Sequence, residues 1–320
     1  MPGKGKKGFT LIELLVAMML GLIVLGGVYS FYVTSMPAYV LQDQLLETQQ
    51  NLRIGLELVV EDIQGAGGSG IPADKAVTVA NSSGSPDQLE LLIPNGTVCP
   101  SIPQPTTIQT HTSATATTMV LADTCAAMAG KVAVLVTPDG LNYRIIQIAS
   151  VTTGTDTITF SSYSSGLNPR KSTNGETVAY AGGTLVLVKQ VDYTVDTMDP
   201  AKPVLKRDLN DGTGAQVIAN YIEEMQFSLG YDRNTDGILS EVGSAANDDE
   251  WVFNVSGESN AGEAPTNLRA IDIVLIGRTR LQDLRFKGAR PAILDRGQGG
   301  LDGYRRKIRE TKIQIRNLGL

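Results

Sequence analysis

The hydrophobic pattern is strongest at the N-terminus, where apolar residues dominate from Phe9 to Val33. At a helical rise of about 1.5 Å per residue, a segment of this length crosses a bilayer. A short basic leader, residues 1–8, precedes it and carries Lys4, Lys6 and Lys7. Because basic flanks stay on the cytoplasmic side, the pattern predicts a single-pass helix with a cytoplasmic N-terminus and everything after Val33 outside.

After the apolar segment the pattern changes to an amphipathic helix. Leu45, Leu52, Leu56, Val59 and Ile63 recur at helical spacing, with polar and acidic residues between them. A glycine-rich stretch after residue 65 ends the pattern. We therefore predict one helix over residues 9–65, with residues 9–33 in the membrane and the second half packed on a folded domain.

Residues 66–320 change to short alternating segments bounded by Gly, Pro, Asn and Asp, which is typical of strands and turns. Two apolar runs that flank Pro138-Asp139-Gly140 predict a hairpin over residues 131–148. The basic C-terminal segment predicts an edge strand blunted by charge, and Trp251 is expected in the core. The fold class is α+β: a long N-terminal helix packed on one β-rich globular domain outside the cytoplasm.

Glu13 is the one charged residue between Phe9 and Val33. A carboxylate at this depth is costly unless it is paired or neutralised. A small residue, Gly8, precedes the apolar segment, and cleavage after it would leave the helix attached and create an α-amino group on Phe9. That amine of one subunit could pair with Glu13 of a neighbour, which would favour correct docking.

The run from Gly8 through Phe9 and Thr10 to Glu13 resembles the type IV prepilin signal, which type II secretion pseudopilins share. The resemblance implies cleavage after Gly8 by prepilin peptidase, N-methylation of Phe9 and a role for Glu13 in subunit docking. It also implies a precursor in the inner membrane and a mature subunit in a pilus at the cell surface or in the periplasm. The alternative is an ordinary single-pass anchor with a stray glutamate.

Segments 221–232 and 304–317 and the hairpin around Pro138-Asp139-Gly140 resemble stretches of the PilW-type minor pilins. The resemblance implies a minor subunit that acts with other minor pilins and the major pilin in an initiating complex near the pilus tip. A J-type pseudopilin of a type II secretion system stays open as an alternative. So does a pilus-tip adhesin or DNA-uptake receptor.

The chain has two cysteines, Cys99 and Cys125, both beyond the membrane segment. An even pair on the non-cytoplasmic side predicts one disulfide, although two separate buried thiols are the alternative. Residues 100–124 are rich in Pro, Thr, Ser and Ala, so we expect an exposed loop closed at its base. His111, the sole histidine, falls in this stretch and cannot build a typical zinc site alone.

Residues 232–241 place oxygen-bearing groups at alternate positions with a glycine after the third. Side chains at the first, third and fifth positions and a backbone carbonyl two residues later are how short loops bind calcium. The spacing departs from the EF-hand, whose closing glutamate comes at the twelfth position, and an Asx/Gly turn is the alternative. The predicted calcium ligands are Asp232, Asn234, Asp236, Ile238 and Glu241.

Overall composition limits the remaining functions. The charged fraction is 19%, the hydrophobic fraction is 42% and the formal net charge is −6, which fits a folded, acidic protein. An acidic chain without a long basic tract is not expected to bind nucleic acid. No carboxylate pair or nucleophile–base pair suggests catalysis, so no enzymatic activity and no cofactor other than the candidate calcium are expected.

Overall fold

A computed structural model gives the architecture of most of the chain. Gly8 and Glu241 lie outside the described residues. The chain divides into two compact units, one up to Glu47 and one from Thr48 onward. The structure describes residues 9–68, 71, 73–102, 105–111, 113, 115–140, 142–163, 178–240, 249–264 and 267–315.

A single long helix, α1, spans Leu11–Gly65 and runs through Pro37 without interruption. A short helix α2 (Ala73–Ala76) and a series of strands follow, so the predicted α+β class is confirmed. The strands are β1 Val77–Ala80, β2 Gln88–Pro94, β3 Thr106–Thr110, β4 Thr118–Leu121, β5 Val132–Val136, β6 Tyr143–Thr152, β7 Thr157–Ser162, β8 Thr184–Asp196, β9 Val204–Asp208, β10 Gln216–Asn220, β11 Ile222–Tyr231, β12 Trp251–Val252, β13 Leu268–Arg278, β14 Gly288–Ala289, β15 Leu301–Asp302 and β16 Arg306–Gln314.

A four-stranded antiparallel sheet in the order β12-β11-β13-β16 packs against the part of α1 that starts at Thr48. Leu52 is fully buried in the same core as Phe227 and Ile273. The helix approaches the sheet closely at Gly277, where a Cβ atom would lie 2.9 Å from the Leu52 side chain. Glycine is therefore required there for close packing.

The four-stranded sheet confirms two of the sequence predictions. β16 is the last strand of the sheet order, as expected for the basic C-terminal segment. Trp251 is 5% exposed, as expected for a core residue. The hairpin prediction is confirmed as well, because β5 pairs with β6 from Val132↔Gln147 to Val136↔Tyr143.

The second sheet closes on itself. β8 pairs on one side with β3 and on the other with β5, and the ladders β3–β4, β4–β7, β7–β6 and β6–β5 complete a circuit of six strands. This small barrel has its own core, separate from the one under α1. The barrel core contains Cys99, Ile108, Met119, Leu121, Met128, Ala133, Leu135, Ile146, Ile148, Ile158, Phe160, Tyr180, Leu185 and Leu187.

Strands β5 and β8 are buried on both faces. Along β8, Leu185 and Leu187 point into the barrel, whereas Val186 and Val188 belong to the core under α1. Successive side chains of a strand point to opposite faces, so one strand can supply two cores. This explains why β8 begins as an unbroken apolar run, Leu185 to Val188, instead of an alternating one.

The prediction that residues 100–124 form an exposed loop is wrong. Two barrel strands, β3 and β4, lie within this stretch, and Ile108 and Leu121 are fully buried. Few apolar residues are needed, because each strand is short and presents only alternate side chains to the barrel core. His111 is likewise buried, and the Tyr180 N–H donates to its Nδ1 at 3.2 Å.

The predicted disulfide is present, joining Cys99 to Cys125 with 6.2 Å between their Cα atoms. Cys99 is buried in the barrel core, and Cys125 packs against that core. The bond therefore joins the residues just before β3 to those just after β4. It closes the segment that carries β3 and β4 at its base, as the sequence predicted.

Candidate assembly site

The N-terminus of α1 is closed by a reciprocal pair of hydrogen bonds between Thr10 and Glu13. The Thr10 backbone N–H and hydroxyl donate to Glu13 Oε2 at 2.8 and 2.9 Å. The Glu13 N–H donates to the Thr10 hydroxyl at 3.3 Å. This is a capping box, which satisfies N–H groups that have no partner inside the helix.

In a single subunit, the capping box holds the Glu13 carboxylate. It accepts hydrogen bonds from its own helix terminus, which also carries the positive end of the helix dipole. Phe9 lies immediately before the box and is 89% exposed. An α-amino group formed on Phe9 would therefore arise one residue from the group that holds Glu13, whereas Gly8 lies outside the described residues.

The apolar side chains of residues 9–33 are exposed. No residue of the most apolar 18-residue window of α1 is buried, although the helix is long and apolar enough to cross a membrane. A surface of this kind needs lipid or other apolar helices around it. Its most exposed large side chains, each at least 68% exposed, are Phe9, Leu11, Ile12, Leu22, Tyr29 and Phe31.

Within the second unit, α1 is tied to the sheets by a buried ion pair that the sequence did not reveal. Asp62 accepts from Arg207 Nε at 2.8 Å and from Arg207 Nη2 at 2.9 Å. The Tyr193 hydroxyl donates to the same carboxylate. Burial, and then the neighbouring Asp62, raise the pKa of Tyr193, so that its hydroxyl remains a donor.

A second buried network, also missed from the sequence, covers the face of β11 that points away from α1. Glu224 is 1% exposed and pairs with Arg290 at 3.3 Å and with Arg296 at 3.0 Å. Asp87 is fully buried and accepts from the Phe227 N–H at 2.9 Å. These partners lie far apart in the sequence, so no local signal could have identified them.

The side chains of the predicted calcium loop make mainly local hydrogen bonds. Asp232 Oδ2 accepts from the Gly237 N–H at 3.2 Å and lies 3.7 Å from Arg269 Nε. Asn234 Oδ1 accepts from the Asp236 N–H at 2.9 Å, and Asp236 Oδ1 accepts from the Ile238 N–H at 2.7 Å. The last two contacts are those of Asx turns.

Glu250, the residue before β12, holds this loop in place through hydrogen bonds to its backbone. It is 3% exposed, and its carboxylate accepts from the N–H groups of Arg233 at 2.8 Å and Ser240 at 3.0 Å. Among the described residues, no group of three or more His, Cys, Asp and Glu side chains is arranged to hold a metal ion. Because Glu241 lies outside these residues, the calcium site stays a prediction.

Comparison with protein families bears on the N-terminal segment. Residues 3–29 match the family model of the prokaryotic N-terminal methylation motif. This match covers the three lysines of the leader, Gly8, the capping box and most of the apolar segment, residues 9–29. Together with the long apolar helix, it supports a type IV pilin-like protein, with processing by prepilin peptidase and assembly with other pilins.

The matched motif defines a structural family, not an enzymatic one. With the single N-terminal apolar helix it fits a membrane-anchored precursor. No curated protein and no solved structure matched the chain.

Proposed function

We propose that this chain is a minor pilin that takes part in the assembly or initiation of a type IV pilus, near the pilus tip. The observation that carries the proposal is the N-terminal methylation motif placed on an apolar segment, residues 9–33 of the long helix region, whose side chains are exposed. Such a helix is suited to the membrane first and to the core of a filament afterwards, because either surrounding buries the same side chains.

Hydrolysis of the peptide bond between Gly8 and Phe9 would release the basic leader and leave a cationic amine on Phe9. Glu13 is then the group that an incoming or neighbouring subunit can pair with. In the single subunit its carboxylate is held by Thr10. Docking exchanges or supplements these hydrogen bonds with a charge pair between subunits, so that only one register satisfies every charge.

The globular unit supports a low-copy role over that of a compact major subunit. In addition to the four-stranded sheet on α1, it carries the closed barrel and the hairpin that it contains. Two of the segments that resemble PilW-type minor pilins fall in the four-stranded sheet, on β11 and around β16. A J-type pseudopilin would carry the same N-terminal motif and apolar helix. The phenotype of a deletion strain distinguishes the two.

The test uses two substitutions in the capping box. Glu13→Ala is expected to give protein that is processed and membrane-retained but not assembled, and surface pili should be lost. Thr10→Ala is the matched control, because it removes the intrahelical partner and keeps the carboxylate. It is expected to retain processing and piliation. Immunoblots of processed protein and electron microscopy of pili give the readouts.

Several outcomes would overturn parts of the proposal. Normal piliation in the Glu13→Ala strain, or equal losses in both strains, would mean that no charge pair between subunits is needed. Mass spectrometry of the mature protein should find methylated Phe9 as its first residue. A polypeptide that still begins at Met1 would remove the basis of the mechanism. Loss of protein secretion with intact pili in a deletion strain would identify a pseudopilin instead.

A further inference from the structure

A turn follows β13 and leads into a two-stranded ribbon, β14 and β15. The Phe286 N–H donates to the Asp283 carbonyl at 3.0 Å, which closes a turn with Leu284 and Arg285 at its centre. The Asp283 N–H donates to the Gly303 carbonyl at 2.8 Å, which joins the turn to the returning strand. We call residues 280–303 the basic ribbon.

The basic ribbon exposes three leucines. Leu284 is 95% exposed, Leu301 is 75% exposed and Leu281 is 54% exposed. Large apolar side chains exposed singly are common on protein surfaces, but here three lie on one short ribbon. Leu301 stands on β15 beside Ala289 of β14, so the exposed leucines are not confined to the turn.

The charges around these leucines are positive. Arg280, Arg285 and Lys287 are exposed, and among the described residues no carboxylate lies within salt-bridge distance of any of them. Of the three acids of the ribbon, Asp295 is buried and accepts from the Asn81 side chain at 2.8 Å, and the other two are paired with arginines that follow the ribbon. Asp283 lies 2.8 Å from Arg305, and Asp302 lies 2.5 Å from Arg306.

Contacts with Glu224 of β11 and with Arg305 fix the ribbon to the folded domain. Arg290 and Arg296 reach the buried carboxylate of Glu224, and the Arg305 guanidinium lies 4.4 Å from the centre of the Phe286 ring. The arginines in these contacts are largely withdrawn from solvent, whereas Arg280, Arg285 and Lys287 are not. The leucines and the exposed cations Arg280, Arg285 and Lys287 are thus held on a braced support.

We propose that the basic ribbon rests on an anionic bilayer surface while the protein is a membrane-anchored precursor, a state on which this inference depends. Leucine is under-represented among protein–protein hot spots and lysine is depleted from protein interfaces, but arginine is enriched in both. The choice of a bilayer therefore depends on the exposed leucines and on the positive charge beside them. Apolar side chains flanked by cations are the composition that binds anionic headgroups. The transmembrane helix supplies the first membrane attachment, and the ribbon supplies a second one.

The experiment places an environment-sensitive fluorophore on the full-length chain in vesicles, with the native disulfide intact. Leu284→Cys carries the probe, and Met198→Cys is the matched control because Met198 is 93% exposed and lies outside the ribbon. Met19→Cys reports whether the helix has inserted. Each labelled protein is reconstituted in vesicles of phosphatidylethanolamine with phosphatidylglycerol and in vesicles of phosphatidylcholine alone.

The expected result is a blue shift and protection from an aqueous quencher at residue 284 in the anionic vesicles only, with neither effect at residue 198. Arg285→Glu or Lys287→Glu should each reduce the bound fraction relative to the free fraction at least about fivefold, equivalent to about 1 kcal/mol per cation removed. A probe at residue 284 that stays aqueous, while residue 19 reports insertion, would overturn the inference and leave the proposed function intact. Equal shifts at residues 284 and 198, or photocrosslinks from residue 284 to proteins only, would also overturn it.

Discussion

The buried pair between Asp62 and Arg207 gives the sharpest stability prediction. The Asp62 side chain is 7% exposed and that of Arg207 is 20% exposed. Both carboxylate oxygens accept from the guanidinium, and the Tyr193 hydroxyl donates to one of them. The pair joins α1 to β8 and β9, so it fixes the end of the helix to the sheet.

The substitution Asp62→Asn keeps the volume of the side chain and one acceptor oxygen, but it removes the negative charge. It also places an amide N–H donor against the Arg207 guanidinium and the Tyr193 hydroxyl, which are donors themselves. Breaking a buried ion pair costs roughly 3–5 kcal/mol, because the remaining charge is left uncompensated. A fifth of the Arg207 side chain reaches solvent, so we expect the low end, about 3 kcal/mol. With a urea dependence of about 3 kcal/mol per molar, the unfolding midpoint should fall by about 1 M.

The assay is urea unfolding of the full chain in a mild detergent, followed by the fluorescence of the single tryptophan, Trp251. This residue is 5% exposed and lies in the four-stranded sheet, so its emission reports the unfolding of the globular unit. Arg53→Ala is the control on the same helix. Its pair with Glu57 leaves side chains that are 74% and 63% exposed, and we expect no measurable change.

A double-mutant cycle tests the coupling directly. If the two residues act as a pair, Asp62→Ala with Arg207→Ala should destabilise the protein by clearly less than the sum of the single variants. Strict additivity would refute the reasoning. So would an unfolding midpoint of Asp62→Asn that equals the midpoint of the Arg53→Ala control.

Three further predictions follow from the barrel, the buried carboxylates and the acidic loop. Replacing Cys99 by Ser should cost about 3.5 kcal/mol in the loop-closure model for the sequence separation of 26 residues, and an unfolding midpoint equal to that of the wild type would contradict it. Burial raises the pKa of Asp87 from 3.8 to about 7, so the folded state binds the extra proton and stability should fall as pH rises from about 4 to about 7. Asp87→Asn should remove that dependence, and unfolding curves at a series of pH values check it, with an unchanged slope counting against it. If residues 232–241 bind calcium, excess calcium should raise the melting midpoint of the wild-type protein, and this rise should vanish in Asp236→Ala. No rise in the wild type would reject the site.

The sequence predicts the parts of this fold whose cause is local. The apolar helix, the amphipathic half that follows it and the hairpin around Pro138-Asp139-Gly140 each depend on residues within a short window. The capping box is also local, because Thr10 and Glu13 are three residues apart. The motif was recognisable for this reason, although the hydrogen bonds that hold Glu13 in the single subunit were not foreseen.

The remaining features depend on contacts between distant residues. The barrel closes only because β8 pairs with both β3 and β5, and nothing within β3 itself predicts this pairing. Its few apolar residues make the stretch look like a loop. Likewise, Asp62 and Arg207 are separated by 145 residues, so the residues next to each of them in the sequence do not indicate that its charge is buried and paired.

Strands β5 and β8, which contribute to both cores, couple the barrel to the core under α1. A domain added through a linker would leave two cores that could unfold separately. Here β5 and β8 each place alternate side chains in both cores, as Leu187 and Val188 show. Loss of either strand would open both cores, so they should unfold in one transition. A partner that binds on the barrel would therefore be held at a fixed position relative to the helix residues after Thr48, which suits a subunit whose surface has to be presented in a defined orientation.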